Sequence, residues 1–422
     1  MPTIKELQQL QALPLNIKVE KTKQRIREWV EHFGVNGVYV SFSGGKDSTV
    51  LLHLVREMYP SIPAVFCDTS LEFPEIREFV KSFDNVIFLK PKMNFRQVIE
   101  KYGYPFISKE VSDCVSYARR YLKKIIKEFK ADMQDELGDI TPIDYADFIC
   151  MLNPTAGGEN RHYRRIRGLH EFKAKAIDNF RVQRLLGILP RSGKATLEET
   201  PEPPDRSAFS CARYQFFLDA PFEISNSCCY VMKKAPFKKY EKETGKVSMS
   251  GQLASESKLR TQVWLRNGCN AFGGKRKTSN PMAFWTENDV LLYIYQNKIP
   301  IASVYGEVIK DNGDDNVDGQ MDIGQFGLFD DEVPLLKTTG YSRTGCVACG
   351  FGCHREKAGE GRFELLKVTH PKLCDYIMRP WEEEIEVVNP ATGEIKKVKR
   401  KGLNYKEIID WINENGDLHI RY

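Results

Sequence analysis

Three short apolar runs mark the first ninety residues: Val38-Tyr39-Val40, Ala64-Val65-Phe66-Cys67 and Val86-Ile87-Phe88-Leu89. Each is too short for a helix and rich in β-branched and aromatic residues, so each predicts a buried strand. Polar and apolar positions fall at helical spacing from Lys18 to Phe33, after Thr49, and again beyond Pro74. Strands alternating with helices predict an α/β fold, a doubly wound and mainly parallel sheet of Rossmann-like type. Ligands of such sheets bind beyond the C-terminal ends of the strands.

Further along, the pattern changes. Residues from about Tyr117 to Pro204 predict a helical insertion, closed by the acidic, proline-rich linker Glu198 to Asp205. Val247-Ser248-Met249-Ser250-Gly251 predicts another strand. Pro281 to Val290 opens a helix, with Thr286 as its cap and Asp289 in a capping-box position. The acidic, glycine-containing segment from Glu307 to Val333 predicts a mobile loop. A charged hairpin around Asn389-Pro390-Ala391-Thr392-Gly393 and a terminal helix carrying Trp411 complete the chain. No internal repeat is present. The expected organisation is a first half of the core over 17–110, a basic helical insertion over 111–215, a second half over 216–305, and a cysteine-rich C-terminal region over 306–422.

Composition narrows the class. The chain has 422 residues, 41% of them hydrophobic, with no apolar run long enough to span a bilayer. Met1-Pro2-Thr3-Ile4-Lys5-Glu6 lacks a signal-peptide pattern, so a cytoplasmic location without membrane partners is expected. Eleven cysteines in such a chain point to metal or redox chemistry rather than to disulfides. The net charge of +5 permits a nucleic-acid partner without arguing for one. Arg161, Arg164, Arg165, Arg167, Lys173, Lys175, Arg181, Arg184 and Arg191, interleaved with Tyr163, Phe172 and Phe180, form either a surface for nucleic-acid phosphates or a solvated helix face.

The chemistry starts where the first strand ends. Ser41-Phe42-Ser43-Gly44-Gly45-Lys46-Asp47-Ser48-Thr49 breaks at two glycines and enters a helix. Glycine lets an anion approach the backbone, and free N–H groups at a helix start attract phosphate or sulfate. Ser41, Ser43, Ser48 and Thr49 offer hydroxyls, and Lys46 a point charge. The common P-loop would place glycine at Val40 and Ser or Thr at Asp47. Ser-Gly-Gly-Lys-Asp-Ser instead resembles the PP-loop of the adenine-nucleotide α-hydrolase superfamily. That resemblance implies ATP or a sulfonucleotide as ligand, with chemistry at the α-phosphate or sulfate. Gly44, Gly45, Lys46, Ser48 and Thr49 would hold the oxyanion, and Asp47 would orient a Mg²⁺-bound water or the loop itself. Asp68 and Thr69, followed by Glu72 and Pro74, resemble the second nucleotide-contacting segment of the sulfonucleotide reductases; a capping aspartate and turn is the plainer reading.

Cys346 and Cys349 stand on a glycine-rich turn, and Cys228 and Cys229 form a second pair upstream. A Cys-Cys pair followed far downstream by Arg343-Thr344-Gly345-Cys346-Val347-Ala348-Cys349 resembles the iron–sulfur adenylyl-sulfate reductases. The resemblance covers about residues 25–110 and 215–380. It implies a [4Fe–4S] cluster on Cys228, Cys229, Cys346 and Cys349, with Lys233, Lys234 and Arg343 nearby to hold the substrate's sulfate. Zinc is the rival metal, although adjacent cysteines make a poor zinc knuckle. Cys269, Cys353 and His354 are surplus, and Cys67, Cys114, Cys150, Cys211 and Cys374 are expected to be small buried hydrophobes.

The resemblance breaks at the nucleophile. Sulfonucleotide reductases attack with a cysteine in a C-terminal Glu-Cys-Gly-Leu-His tail, whereas this sequence reads Glu414-Asn415-Gly416-Asp417-Leu418-His419. Three functions are therefore carried forward. One is an iron–sulfur enzyme of the phosphoadenosine-phosphosulfate (PAPS) reductase family, acting on adenylyl sulfate or PAPS with a thiol or thioredoxin-like reductant. The second is an ATP-activating, pyrophosphate-releasing sulfurtransferase acting on nucleic acid, similar to the sulfur-transfer subunit of DNA phosphorothioation or to cluster-dependent tRNA thiolases. The third is a non-catalytic nucleotide-binding module. Lys46, Asp47, Lys233 and Arg343 are the candidate catalytic residues of the enzymatic readings.

Overall fold

The computed structural model describes residues 2–137, 175, 178–186, 210–274, 277–311, 334–388 and 395–422. Arg161, Arg164, Arg165, Arg167, Lys173, Arg191, Cys150, the linker 198–205, most of the acidic segment and the turn 389–393 lie outside the described residues.

In chain order the first described strands are β1 (Val38–Ser41), β2 (Ala64–Cys67), β3 (Val86–Leu89), β4 (Phe106–Ile107), β5 (Val247–Ser250), β6 (Asn270–Ala271) and β7 (Thr278–Ser279). They are followed by β8 (Val308–Lys310), β9 (Leu336–Thr338), β10 (Gly350–Phe351), β11 (Glu382–Val388) and β12 (Ile395–Lys401). The main sheet has six strands in the order β3-β2-β1-β5-β7-β6. Every pairing in it is parallel except β6 with β7. Val40 pairs with Ala64 on one side of β1, and Val38 pairs with Val247 on the other. The fold is thus the mainly parallel α/β class that the alternating pattern predicts.

The chain divides into two compact units, one made of Met1–Asn94 and Val231–Val347, the other of Phe95–Tyr230 and Ala348–Tyr422. These differ from the four consecutive segments expected from the sequence. The second unit is tied together across the chain by β4, which pairs in parallel with β10 although 244 residues separate Phe106 from Gly350. Helix Lys109–Leu137 also runs straight through the expected start of the insertion.

In the first unit, β1 and β2 are fully buried along most of their length, as expected of strands covered on both faces. Helix Leu15–Phe33 lays Ile26, Trp29 and Val30 into the core. Trp285 is completely buried and donates its indole N–H to Thr22 Oγ1 at 2.9 Å. Lys18, only 2% exposed, reaches Asp289 at 2.6 Å. Asp289 also accepts from the Thr286 backbone N–H at 2.6 Å and from the Thr286 hydroxyl at 2.8 Å, completing the predicted capping box of helix Glu287–Gln296. One buried ion pair therefore fixes where that helix begins.

In the second unit, Arg119 is 6% exposed and donates to the carbonyls of Ala220 and Phe222, at 2.8 and 2.5 Å. β11 and β12 form an antiparallel ribbon in which Glu382, Glu383, Glu384 and Glu386 face Lys401, Arg400, Lys399 and Lys397. Ile107, in β4, has φ +66°, an unfavourable conformation for a β-branched residue.

Asp289→Ala should cost about 3–5 kcal/mol of stability, because it strands the buried Lys18 ammonium and removes the cap. Urea unfolding of the variant against wild type measures this.

Candidate functional site

The first candidate site lies in the first unit, where β1 ends and helix Lys46–Met58 begins. Gly44 sits at φ +72°, and a Cβ there would meet Ile76 and Val80 side chains at 2.8 Å. Glycine is required at this position on both counts. Ser48 Oγ donates to the Gly45 carbonyl at 2.9 Å and accepts from the Ser43 N–H at 3.2 Å, so the turn is held by its own hydroxyls. Thr49 Oγ1 donates to the same carbonyl at 3.0 Å. Gly251, just after β5, packs against the Asp47 backbone: a Cβ there would lie 2.7 Å from the Asp47 carbonyl oxygen. The central strands thus pin the loop from below.

Charged groups crowd around it. Lys46 is 6% exposed, 3.4 Å from Glu287 and 5.4 Å from the centre of the Tyr305 ring. Arg343 lies 3.9 Å from the same Glu287 carboxylate. Burial raises the Asp47 carboxyl above its ordinary value of 3.8; the positive charges of Lys46, Arg343 and Arg260 oppose the shift, and Glu287 adds to it. Arg260 is itself pulled down by burial. Tyr305 is hydrogen-bonded to Thr344, and burial pushes its phenol up to about 12. Lys46, Asp47 and Arg343, expected from the sequence, do come together. Glu287, Arg260, Tyr305 and Thr344 join them and were not singled out. The signals were adjacent: Glu287 follows the recognised cap Thr286, and Thr344 follows Arg343.

Ser41 ends β1 and pairs with Ser250 across the sheet. Asp68 and Thr69 close a loop of their own. Asp68 accepts from the Ser70 N–H at 3.0 Å and from Arg77 at 2.9 Å, while the Thr69 hydroxyl donates to Glu72 at 2.8 Å. Lys233 meets Glu72 at 3.5 Å. It lies on a single π-helical turn, Cys229–Lys234. Cys67, at the end of β2, donates to the Met232 carbonyl at 3.2 Å, and burial pushes its thiol up to about 12. Glu72 and Cys346 add to that rise, and Lys233 opposes it.

The second candidate site is the group of thiols in the second unit. The strand residues Tyr104–Ile107 are its spine. Ile224 bridges in parallel to Tyr104, and Gly350 and Phe351 pair with Phe106 and Ile107. One side of this spine leads into Cys228 and Cys229, the other carries Cys349. Gly350 admits no side chain, because a Cβ would lie 2.5 Å from the Phe106 ring. Tyr405 is wholly buried and donates to the Ala348 carbonyl at 2.6 Å. Its phenol is pushed well up, first by burial and then by the charges of Cys349, Cys228, Tyr104 and Cys353. Cys349 is raised by burial, with Arg362 opposing and Cys229 contributing. Arg362 also donates to the Cys349 carbonyl at 2.8 Å. Cys228, Cys229, Cys349 and Cys353 therefore share one electrostatic neighbourhood. Cys346 belongs to the first unit, three residues from Cys349 along the chain. Among the described residues no three His, Cys, Asp or Glu side chains are already gathered as metal ligands.

The surplus residues have distinct settings. The Cys353 thiol donates to the Gly350 carbonyl at 2.8 Å. Both ring nitrogens of His354 are buried without a hydrogen-bond partner, and burial lowers its basicity, helped by Arg355 and Arg213. Burial raises the Cys269 thiol. Cys67, Cys114, Cys211 and Cys374 are buried, as expected. Cys114 and Cys211 are more than inert hydrophobes: the Cys114 thiol donates to the Arg181 carbonyl at 3.3 Å, and the mutual influence of the two thiols lowers Cys211 and raises Cys114. Of the basic residues singled out in the insertion, the three described are engaged with acids, Lys175 with Glu128 at 2.6 Å, Arg181 with Asp113 at 3.1 Å and Arg184 with Glu110 at 2.7 Å.

With this geometry in place, the comparisons bear on its identity. The family model described as the phosphoadenosine phosphosulfate reductase domain matches residues 37–132 and 200–350, more than half of the chain, with Ser41–Thr49, Cys228, Cys229, Cys346 and Cys349 inside the match. The chain belongs to this family. Membership makes it a PP-loop protein of the sulfur-metabolism type and suggests an enzyme. A stretch of 99 residues is 37% identical to an uncharacterized protein of Methanocaldococcus jannaschii. That stretch spans 22% of this chain and 23% of the relative, so the chain matches under a quarter of its length. The crystal structure of the PAPS reductase of Candida auris aligns over 72% of this chain and 91% of its own, at 11% identity and a TM-score of 0.31. At that score it adds nothing to the fold argument. Among the described residues no helix is long and apolar enough to cross a membrane.

Two outcomes are expected. Gly251→Ala should displace the loop through its contact with the Asp47 backbone and cost about 1–3 kcal/mol of stability, with little change in helix content, as measured by urea unfolding and circular dichroism. Asp47→Asn should stabilise the protein near neutral pH. The folded carboxyl holds its proton more tightly than the unfolded one, so wild-type stability declines as pH rises above about 4. The variant's advantage should vanish below that pH in urea midpoints.

Proposed function

We propose that this chain is an enzyme that binds an adenine nucleotide at Ser43–Thr49 and acts on the α-phosphate or on the sulfate joined to it. The observation that carries this reading is Lys46. It is buried at the first position of helix Lys46–Met58, with Arg343 and Arg260 in the field of the adjacent Asp47. A lysine almost never stays buried without a charged partner, and here the partner is a half-exposed carboxylate rather than a core one. Such a cation is suited to stabilising charge where it develops on a transferred or departing group.

The donor set Cys228, Cys229, Cys346 and Cys349 suits a [4Fe–4S] cluster, all sulfur and without a histidine or carboxylate. Three of these thiols share the second unit, and the fourth is three residues from Cys349. A cluster held there would supply redox and electrostatic chemistry. The chain's own contribution would be positional: Tyr405 and Arg362 hold the backbone of Ala348 and Cys349, and the π-helical turn seats Lys233 against Glu72.

Anaerobically purified protein offered adenylyl sulfate, PAPS or ATP, each with a thiol donor, tests the reading. Sulfite release identifies sulfonucleotide reduction. Pyrophosphate release that depends on added nucleic acid identifies activation for sulfur transfer. Lys46→Ala should lower either turnover by at least about a hundredfold without loss of fold, because its charge and not its packing is needed. Wild-type turnover by that variant, or no turnover with any of the three nucleotides, would refute the proposal.

A further inference from the structure

Two of the cations around the loop, Lys46 and Arg343, share a single carboxylate, that of Glu287, at 3.4 and 3.9 Å. Its place is fixed rather than incidental. Glu287 is the first residue of a helix whose start is set by the Thr286–Asp289 box and by the buried Lys18. Its side chain is 47% exposed, so it faces the solvent from which a ligand arrives. Asp47 brings a second carboxylate into the same field, and Arg260 a third cation. An entering anion therefore meets three positive charges and two negative ones, not a simple basic pocket.

Such a field discriminates by the total charge of the ligand. Its three cations outnumber its two carboxylates, so it attracts anions, but the repulsion that each carboxylate adds grows with ligand charge and weighs most on a metal-free triphosphate. A divalent cation bound to it cancels part of that charge, and adenylyl sulfate carries less charge from the start. We propose that Glu287 is a specificity-determining residue that sets this charge limit, admitting metal-complexed ATP or adenylyl sulfate and disfavouring the more highly charged metal-free ATP and PAPS. The proposal rests on the reading of Ser43–Thr49 as an adenine-nucleotide site. Contact between Glu287 and the metal is not needed: the carboxylate acts through its competition for Lys46 and Arg343 and through repulsion of excess negative charge.

Calorimetric titration of wild type, Glu287→Gln and Glu287→Asp with ATP, ATP plus excess Mg²⁺, and adenylyl sulfate separates the possibilities. Glu287→Gln should bind metal-free ATP about tenfold more tightly than wild type, while the affinities for the Mg²⁺ complex and for adenylyl sulfate rise by no more than about threefold. Glu287→Asp, which keeps the charge, should retain the wild-type preference. Equal shifts for all three ligands in Glu287→Gln, or weaker binding of metal-free ATP, would overturn the assignment of Glu287 while leaving the nucleotide site standing. Absence of binding by wild type to any of the three would remove the nucleotide site, and this inference with it.

Discussion

Everything in the first unit follows from the position of β1 between β2 and β5. The chain leaves β1 toward β2 and β3 on one side, and returns only much later to lay β5 on the other. Parallel strands with connections diverging in opposite directions leave a crevice beyond their C-terminal ends, where helix starts point inward. The glycine loop after β1 and Gly251 after β5 both lie at that reversal. Their contact lets one backbone support the other, while Ile76 and Val80 pack against the loop at Gly44.

That arrangement turns a mild overall charge into a strong local one. Lys46, Arg260 and Arg343 come from three distant parts of the sequence, and Asp47 and Glu287 stand among them. A buried lysine and a carboxyl raised by burial are costly to maintain, and their retention at one point on a folded surface fits a site that handles charge. In the second unit the thiols are arranged by a different device. A short strand with a bridge on each side brings Cys228 and Cys229 into one neighbourhood with Cys349, and a wholly buried tyrosine secures the turn.

Much of the first unit was legible in the order of residues. β1, β2 and β3 are apolar runs of the right length, β5 alternates Val247 and Met249 with serines, and Thr286 with Asp289 announces its helix by local hydrogen-bonding chemistry alone. The PP-loop was legible because its glycines serve a backbone need that few other residues meet. The pairing of Phe106 with Gly350 was not, since two-residue strands leave no periodicity and the partners lie far apart in the chain. Glu287 escaped for a related reason: as a helix's first residue it looks like ordinary dipole chemistry, and only folding brings Lys46 and Arg343 to it. The same separation explains why Tyr405 gave no sign of its link to the cysteine turn.

Ile107 leaves a last consequence. A β-branched residue held at positive φ carries a conformational penalty of about 1–3 kcal/mol, and here it is maintained by a two-residue ladder and the bond from the Gly352 N–H to the Ile107 carbonyl, 2.8 Å long. Opening that ladder returns the penalty, so the join between β4 and the Cys349 turn parts more cheaply than its hydrogen bonds alone would indicate. The turn that carries Cys349 is thus spring-loaded at its root, with stored backbone strain working against the ladder that holds it.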